Sequence, residues 1–180
     1  MGVAQLTTLL ALVSMLRAQV VWLGKLDPKQ LLGSWYILAV ASSERDFVLE
    51  KDTRIVEGVV VTLSAENGLK VLSSRLGPDG CNQMELELQQ QDSGWVFQNP
   101  SLGVLQYRVL GTNFRDYAIV FTQLELEGEA FNTVELYSRT ETASEEALQL
   151  FNKWSKDLGF WAHQQAKLQR DFTCAQRILQ

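Results

Sequence analysis

Histidine is nearly missing from this chain: His163 stands alone, with two cysteines, in 180 residues. A zinc centre of the usual Cys/His type therefore lacks ligands. The sequence also lacks a nucleophile elbow, a phosphate-binding loop and any metal-ligand cluster. Hydrolytic, nucleotide-dependent and metal-assisted chemistry are left without their parts, and no enzyme, cofactor or metal is expected. Positive charge is scarce: Lys and Arg number 16 against 21 Asp and Glu, a formal charge of -5. With no basic stripe to displace counterions, nucleic acid is not an expected partner. Acceptors for N-glycosylation are missing too, because Asn99-Pro100-Ser101 is blocked by its proline.

Long apolar runs are absent except at the start, so no membrane span is expected. Leu6, Leu9, Leu10, Ala11, Leu12 and Val13 form a core of secretory-signal length, and small residues follow it. Residues 1–18 are expected to be a cleaved signal, with Ala18 the last residue removed. No Lys or Arg precedes the core and Leu16 is large for its place, so a buried N-terminal helix stays as the alternative. In a secreted chain, Cys81 and Cys174 are most simply one disulfide, worth about 4 to 5 kcal/mol in the entropic model for so long a loop. The alternative is a pair of free buried thiols.

What is present is a run of short apolar segments between turns. Asp27 and Pro28 suit the cap and first turn of a short helix over 26–32, ended by Gly33. Leu32-Gly33-Ser34-Trp35-Tyr36 then opens a strand over 34–42, where glycine permits a close approach and Trp35 supplies a large flat apolar body. Residues 43–51 read as a long polar loop. Strands follow over 55–64 and 69–76, separated by the turn Glu66-Asn67-Gly68 and closed by Gly77-Pro78-Asp79-Gly80. Residues 81–91 alternate most clearly, Met84, Leu86 and Leu88 against Glu85, Glu87 and Gln89, a strand with one wet face. Further strands are expected over 95–97, 104–110, 117–126 and 131–138. After them the period changes: Thr142 and Glu145 fit a capping box, Leu148, Phe151, Trp154 and Leu158 recur at helical spacing, and Gly159 ends the helix. The polar tail, 161–180, is expected to return along the surface. Eight antiparallel strands with short connections and one late helix predict an all-β, eight-stranded up-and-down barrel with a helix packed outside. A sandwich would need longer connections.

At this point the chain resembles the lipocalins. Gly33-Ser34-Trp35 resembles their first signature, Thr112-Asn113-Phe114-Arg115-Asp116-Tyr117 the second, and Arg139 after Leu136-Tyr137-Ser138 the third. Cys81 and Cys174 match the usual disulfide of that family. Val21-Trp22-Leu23-Gly24, Gly94-Trp95-Val96-Phe97 and Asn113 to Tyr117 bring the wording near the epididymal-specific members. The resemblance implies one lipocalin domain over 19–180. Gly33, Trp35, Asp116, Tyr117 and Arg139 would be structural, with Arg139 over Trp35 closing the barrel floor. It also implies a secreted, extracellular monomer carrying a small hydrophobic ligand (retinoid, fatty-acid or steroid-like), in male reproductive tract fluid, with a cell-surface receptor as a further partner. A prostaglandin isomerase of this type would need a free reactive cysteine in the cup.

Family register points Met84, Leu86, Leu88, Leu105, Tyr107, Val109, Val120, Thr122, Leu124, Thr133, Glu135 and Tyr137 into the cup as ligand-binding residues. Glu135 is the informative one, since an enclosed carboxylate must be paired, hydrated or protonated. It would recognise an amine or hydroxyl and disfavour a carboxylate, for which Lys70 or Arg75 is the candidate rim partner. The loop 43–53, with Phe47 mobile at its tip, is expected to lid the mouth. A second reading is a filled barrel acting on a protein partner through its loops, with Trp95, Phe97 and Trp161 as contact candidates.

Overall fold

Alternation within each strand decides which side chains meet. The computed structural model describes residues 27–65, 68–90, 96–99, 104–126 and 128–179, with only the backbone at Pro28, Val96–Asn99, Val104, Leu105 and Leu126. The expected signal, the Val21–Gly24 entry, the turns at Glu66-Asn67, Asp92–Gly94 and Pro100-Ser101, and Trp95 lie outside the described residues.

A 3-10 turn over Pro28–Leu31, capped by Asp27 accepting from the Lys29 N–H at 2.9 Å, leads into β1 (Gly33–Ser42). There follow β2 (Glu57–Leu63), β3 (Leu69–Gly77), β4 (Gly80–Gln90), β5 (Val96–Asn99), β6 (Val104–Thr112), β7 (Tyr117–Leu126) and β8 (Glu129–Ser138). Each pairs antiparallel with the next, and β8 and β2 both pair with β1, so the sheet closes on itself. This is the expected up-and-down barrel, and closure leaves few free edges. A register shift between Ile37 and Ala39 turns β1 over. Trp35, Ile37 and Val40 join the core inside the barrel, whereas Ala39 and Ala41 face the outer helix. Such a bulge bends the strand where it must serve two neighbours.

That outer helix, α2 (Glu145–Asp157), lays Ala147 and Phe151 on Tyr117, Ile119, Val134 and Leu136. It explains why β7 and β8 are apolar on both faces. Its cap corrects the sequence expectation: Ser144, not Thr142, accepts from the Ala147 N–H, at 3.1 Å. Thr142 instead accepts from Arg170, at 3.0 Å. Gly159 follows the helix at φ +83°.

Several elements were not expected. Residues 43–51 contain a short helix, α1 (Arg45–Glu50), and Lys51–Thr53 adds a 3-10 turn. The tail supplies β9 (Gln165–Lys167), which pairs with Ala39–Ala41 where β2 has left the edge of β1. A last short helix, α3 (Thr173–Gln176), docks on β2 and β3. Gly58 permits that approach: a Cβ there would stand 2.8 Å from the Ala175 Cα. The disulfide Cys81–Cys174 then ties α3 to β4.

Candidate functional site

The closed end is built around Trp35, which is 2% exposed. Its indole N–H donates to the Leu31 carbonyl at 2.7 Å, so its polar edge is satisfied although buried. The Arg139 guanidinium lies 3.4 Å from the centre of the indole. The same guanidinium donates to the carbonyls of Ser34 at 2.9 Å, Leu32 at 2.7 Å and Gln30 at 3.1 Å. Partial desolvation draws its pKa below the usual arginine value, and three carbonyl dipoles offset the lost water. Gly33 sits at φ +99°, with the site of its missing Cβ 3.1 Å from Arg139 Nη1, so a side chain here would meet both backbone strain and the guanidinium.

The loop from Thr112 to Tyr117 completes the floor. Asn113 Oδ1 accepts from the N–H groups of Arg115, Asp116 and Tyr117 at 3.1, 2.7 and 3.2 Å. Held this way, Asp116 offers its carbonyl to the Arg139 N–H at 2.8 Å. Tyr117 points the other way, under α2, where its hydroxyl donates to Glu146 at 3.0 Å. Burial and that carboxylate push its pKa up to about 12.

Above the floor, burial falls along the wall toward the upper end of the strands. Leu88, Tyr107, Val120 and Tyr137 are fully buried. Leu86, Val109, Thr122, Leu124 and Thr133 are half-buried, and Met84 is 54% exposed. Thus β4, β6, β7 and β8 bring these residues onto the barrel's inward side. For Leu105 only the strand position is described, opposite Leu124. Thr133 is tied to Ser42 by a 2.8 Å hydroxyl bond.

Glu135 stands on this inner wall, opposite Val40 of β1 and Val120 of β7. It is enclosed by protein yet keeps some accessible surface. Desolvation first, and then the charge of Glu57, push its pKa up to about 7, while Arg54, Arg75 and a hydrogen bond from Tyr137 oppose the rise. The Tyr107 hydroxyl donates to that of Tyr137 at 3.3 Å. Burial pushes both phenols well above their usual value. The result is a short polar chain, Tyr107–Tyr137–Glu135, inside an otherwise apolar wall.

Sequence reasoning missed the pair beside it. Glu57, at the start of β2, is buried and accepts from Arg54 through Nε at 3.1 Å and through Nη2. Arg54 in turn lies 5.4 Å from the Phe47 ring. The available signal was a charge inside the Val-rich run 55–64, since a carboxylate there needs a partner. Phe47 corrects another expectation. It is 3% exposed and belongs to the interior core, so α1 is pinned at the mouth by an aromatic anchor. Lys70 is not at the rim: it pairs with Glu85 at 2.8 Å on the outer face. Arg75 is exposed at the end of β3. His163 is exposed in a 3-10 turn of the tail. Both cysteines are consumed by the disulfide, which leaves no thiol for an isomerase.

The comparisons with known proteins agree with this geometry. A model of the lipocalin / cytosolic fatty-acid binding protein family matches residues 32–163. Epididymal-specific lipocalin-6 of Macaca mulatta is 64% identical over 179 residues, 99% of each chain. That of Homo sapiens is 64% identical over 160 residues, 89% of this chain and 98% of its own. Among solved structures, the siderocalin Ex-FABP superposes with a TM-score of 0.72 at 25% identity, covering 77% of this chain and 93% of its own. Floor, barrel, disulfide and sequence together place this chain in the lipocalin / cytosolic fatty-acid binding protein family.

Proposed function

We propose that this protein is a secreted, monomeric, non-enzymatic carrier that holds one small hydrophobic ligand in its barrel. The observation that carries the reading is the gradient inside the cup. The wall is fully packed at Leu88, Val120 and Tyr137, then half-buried at Leu86, Thr122, Leu124 and Thr133. An apolar wall with a few convergent polar groups is the usual character of a small-molecule site. The contact set is Met84, Leu86, Leu88, Leu105, Tyr107, Val109, Val120, Thr122, Leu124, Thr133, Glu135 and Tyr137. The siderocalin neighbour, described as acting through dual ligand specificities, supports ligand binding by this architecture. The similarity to epididymal-specific lipocalin-6 supports a site of action in male reproductive tract fluid. Among the described residues no helix is long and apolar enough to cross a membrane.

Titration with an environment-sensitive apolar fluorophore tests the reading. One equivalent binds to the wild type, and Thr122→Trp, which fills the open part of the cup, abolishes binding without unfolding the barrel. Equal binding by both proteins places the fluorophore elsewhere and overturns the reading. A second reading, an interaction protein acting through its loops, is favoured by Trp161 and Leu49, which are 71% and 72% exposed. A cup that takes up no apolar compound would leave that reading in possession.

A further inference from the structure

A carrier's cup is selective where its polar groups are, and here the acids and bases are unevenly committed. Two carboxylates, Glu57 on β2 and Glu135 on β8, face the interior across β1. One enclosed cation, Arg54, is near them. Arg54 is already bound to Glu57 through two nitrogens and covers the Phe47 ring. The other cation that acts on Glu135, Arg75, is exposed at the end of β3, beyond the enclosed part of the cup. Among the described residues, β6 and β8 contribute the phenols of Tyr107 and Tyr137 near Glu135, while the Thr133 hydroxyl is engaged with Ser42. Tyr107 donates to Tyr137, and Tyr137 to Glu135, so the donors of this chain run toward the carboxyl group and end there. Among the described residues, Tyr137 is the side-chain donor given to Glu135, which leaves acceptor capacity on its carboxyl group.

A ligand carboxylate buried in this region would be a third acid beside two, with the enclosed guanidinium committed elsewhere. Juxtaposed like charges out of water are strongly disfavoured. A hydroxyl or ammonium instead supplies the donor that the Glu135 oxygens lack. Deletion of a hydrogen-bond partner from a site built for one is what produces sharp discrimination between ligands of the same apolar body. Resting on the carrier reading, we infer that the ligand is an apolar molecule ending in a hydrogen-bond donor, an alcohol or an amine, which inserts that end first and is held by Glu135, while the corresponding free acid is rejected. Glu135 is here a specificity-determining residue, with Tyr137 and Tyr107 holding it in place.

The protonation of Glu135 adds a direction. Its pKa near 7 means that the carboxylate form, the better acceptor, predominates above neutrality, and the carboxyl form below it. Amine binding therefore strengthens as pH rises from 6 to 8, and acid binding weakens over the same interval.

The test uses three probes of one chain length, hexadecanol, hexadecylamine and palmitate, competed against the apolar fluorophore at pH 8. The alcohol and amine bind at least about tenfold more tightly than the acid, the margin of one well-placed polar contact. Glu135→Gln keeps an acceptor but removes the charge. It raises palmitate affinity about tenfold, leaves the alcohol nearly unchanged and weakens the amine. The conservative Glu135→Asp retains the wild-type order, which separates a role in selection from one in folding. Palmitate binding as tightly as the alcohol to wild type, or an unchanged order in Glu135→Gln, overturns the inference and leaves the carrier reading intact. Failure of all three probes and of the fluorophore overturns both.

Discussion

The two ends of this barrel treat buried charge in opposite ways. At the floor one cation, Arg139, is stacked on Trp35 and donates three hydrogen bonds to carbonyl oxygens, so its charge is compensated by the chain itself. Inside the cup a carboxyl group, Glu135, is enclosed with its pKa displaced to about 7, a sign that its ionised form is incompletely compensated. A satisfied charge stiffens a structure, whereas an under-compensated one marks a place where something else is meant to bind. On the proposal made above, the difference separates container from contents: the floor carries stability and says nothing of the ligand, and the wall would carry selectivity at some cost in stability.

Substitutions at the floor should therefore change stability and leave ligand order alone. The largest effect is expected from Trp35→Ala, about 3 to 5 kcal/mol, since it removes a buried indole from the core. Arg139→Ala strands three carbonyls and removes the stacked cation, at about 2 to 3 kcal/mol. Urea unfolding measures both, and a changed preference among alcohol, amine and acid in either surviving fold would erase the distinction drawn here. Gly33→Ala should follow at about 1 to 2 kcal/mol, from a positive φ and the crowded guanidinium.

Within the cup the sign is reversed. The folded pKa of Glu135 lies above its ordinary 4.5, so the native state holds the proton more tightly than the unfolded chain. Its contribution is fully present below pH about 4.5 and is lost as pH rises through about 7. Glu135→Gln should abolish that slope and stabilise the protein at pH 8 by about 1 to 3 kcal/mol, read from unfolding midpoints across the pH range. Stability that rises in wild type between pH 5 and 8, and does so through Glu135, would contradict the compensation argument. The smallest effect belongs to the outer face. Lys70→Gln removes an exposed pair with Glu85 and should change neither stability nor binding measurably.

The barrel was legible because strand alternation is a local pattern. Met84, Leu86 and Leu88 against Glu85 and Glu87 announce β4 without any knowledge of its neighbours, and the spacing of Leu148, Phe151 and Trp154 announces α2. The floor was legible only through resemblance, because nothing in the composition of Ser138-Arg139-Thr140 links it to Trp35, more than a hundred positions away. The elements that escaped are those whose conformation is set by contacts made after the barrel forms. A helix as short as Arg45–Glu50 is unstable alone, and it persists because Phe47 reaches the core. The three residues of β9 carry no periodicity and exist because β2 leaves the upper edge of β1 unpaired. The pairing of Arg54 with Glu57 sits at the junction of such a segment with a strand, which is why a wall reading by alternation alone did not include it. The inward placement of Glu135 was read from register, and the structure adds the phenols and the second acid around it.

The central claim, that this is a sealed container with an open upper chamber, is tested most directly by native mass spectrometry. Wild-type protein is exposed to an apolar lipid extract and separated from excess. The account predicts a single non-covalent adduct of one small molecule per chain, released by organic solvent and absent from Thr122→Trp. No adduct on the wild type, or the same adduct on the filled variant, would contradict it.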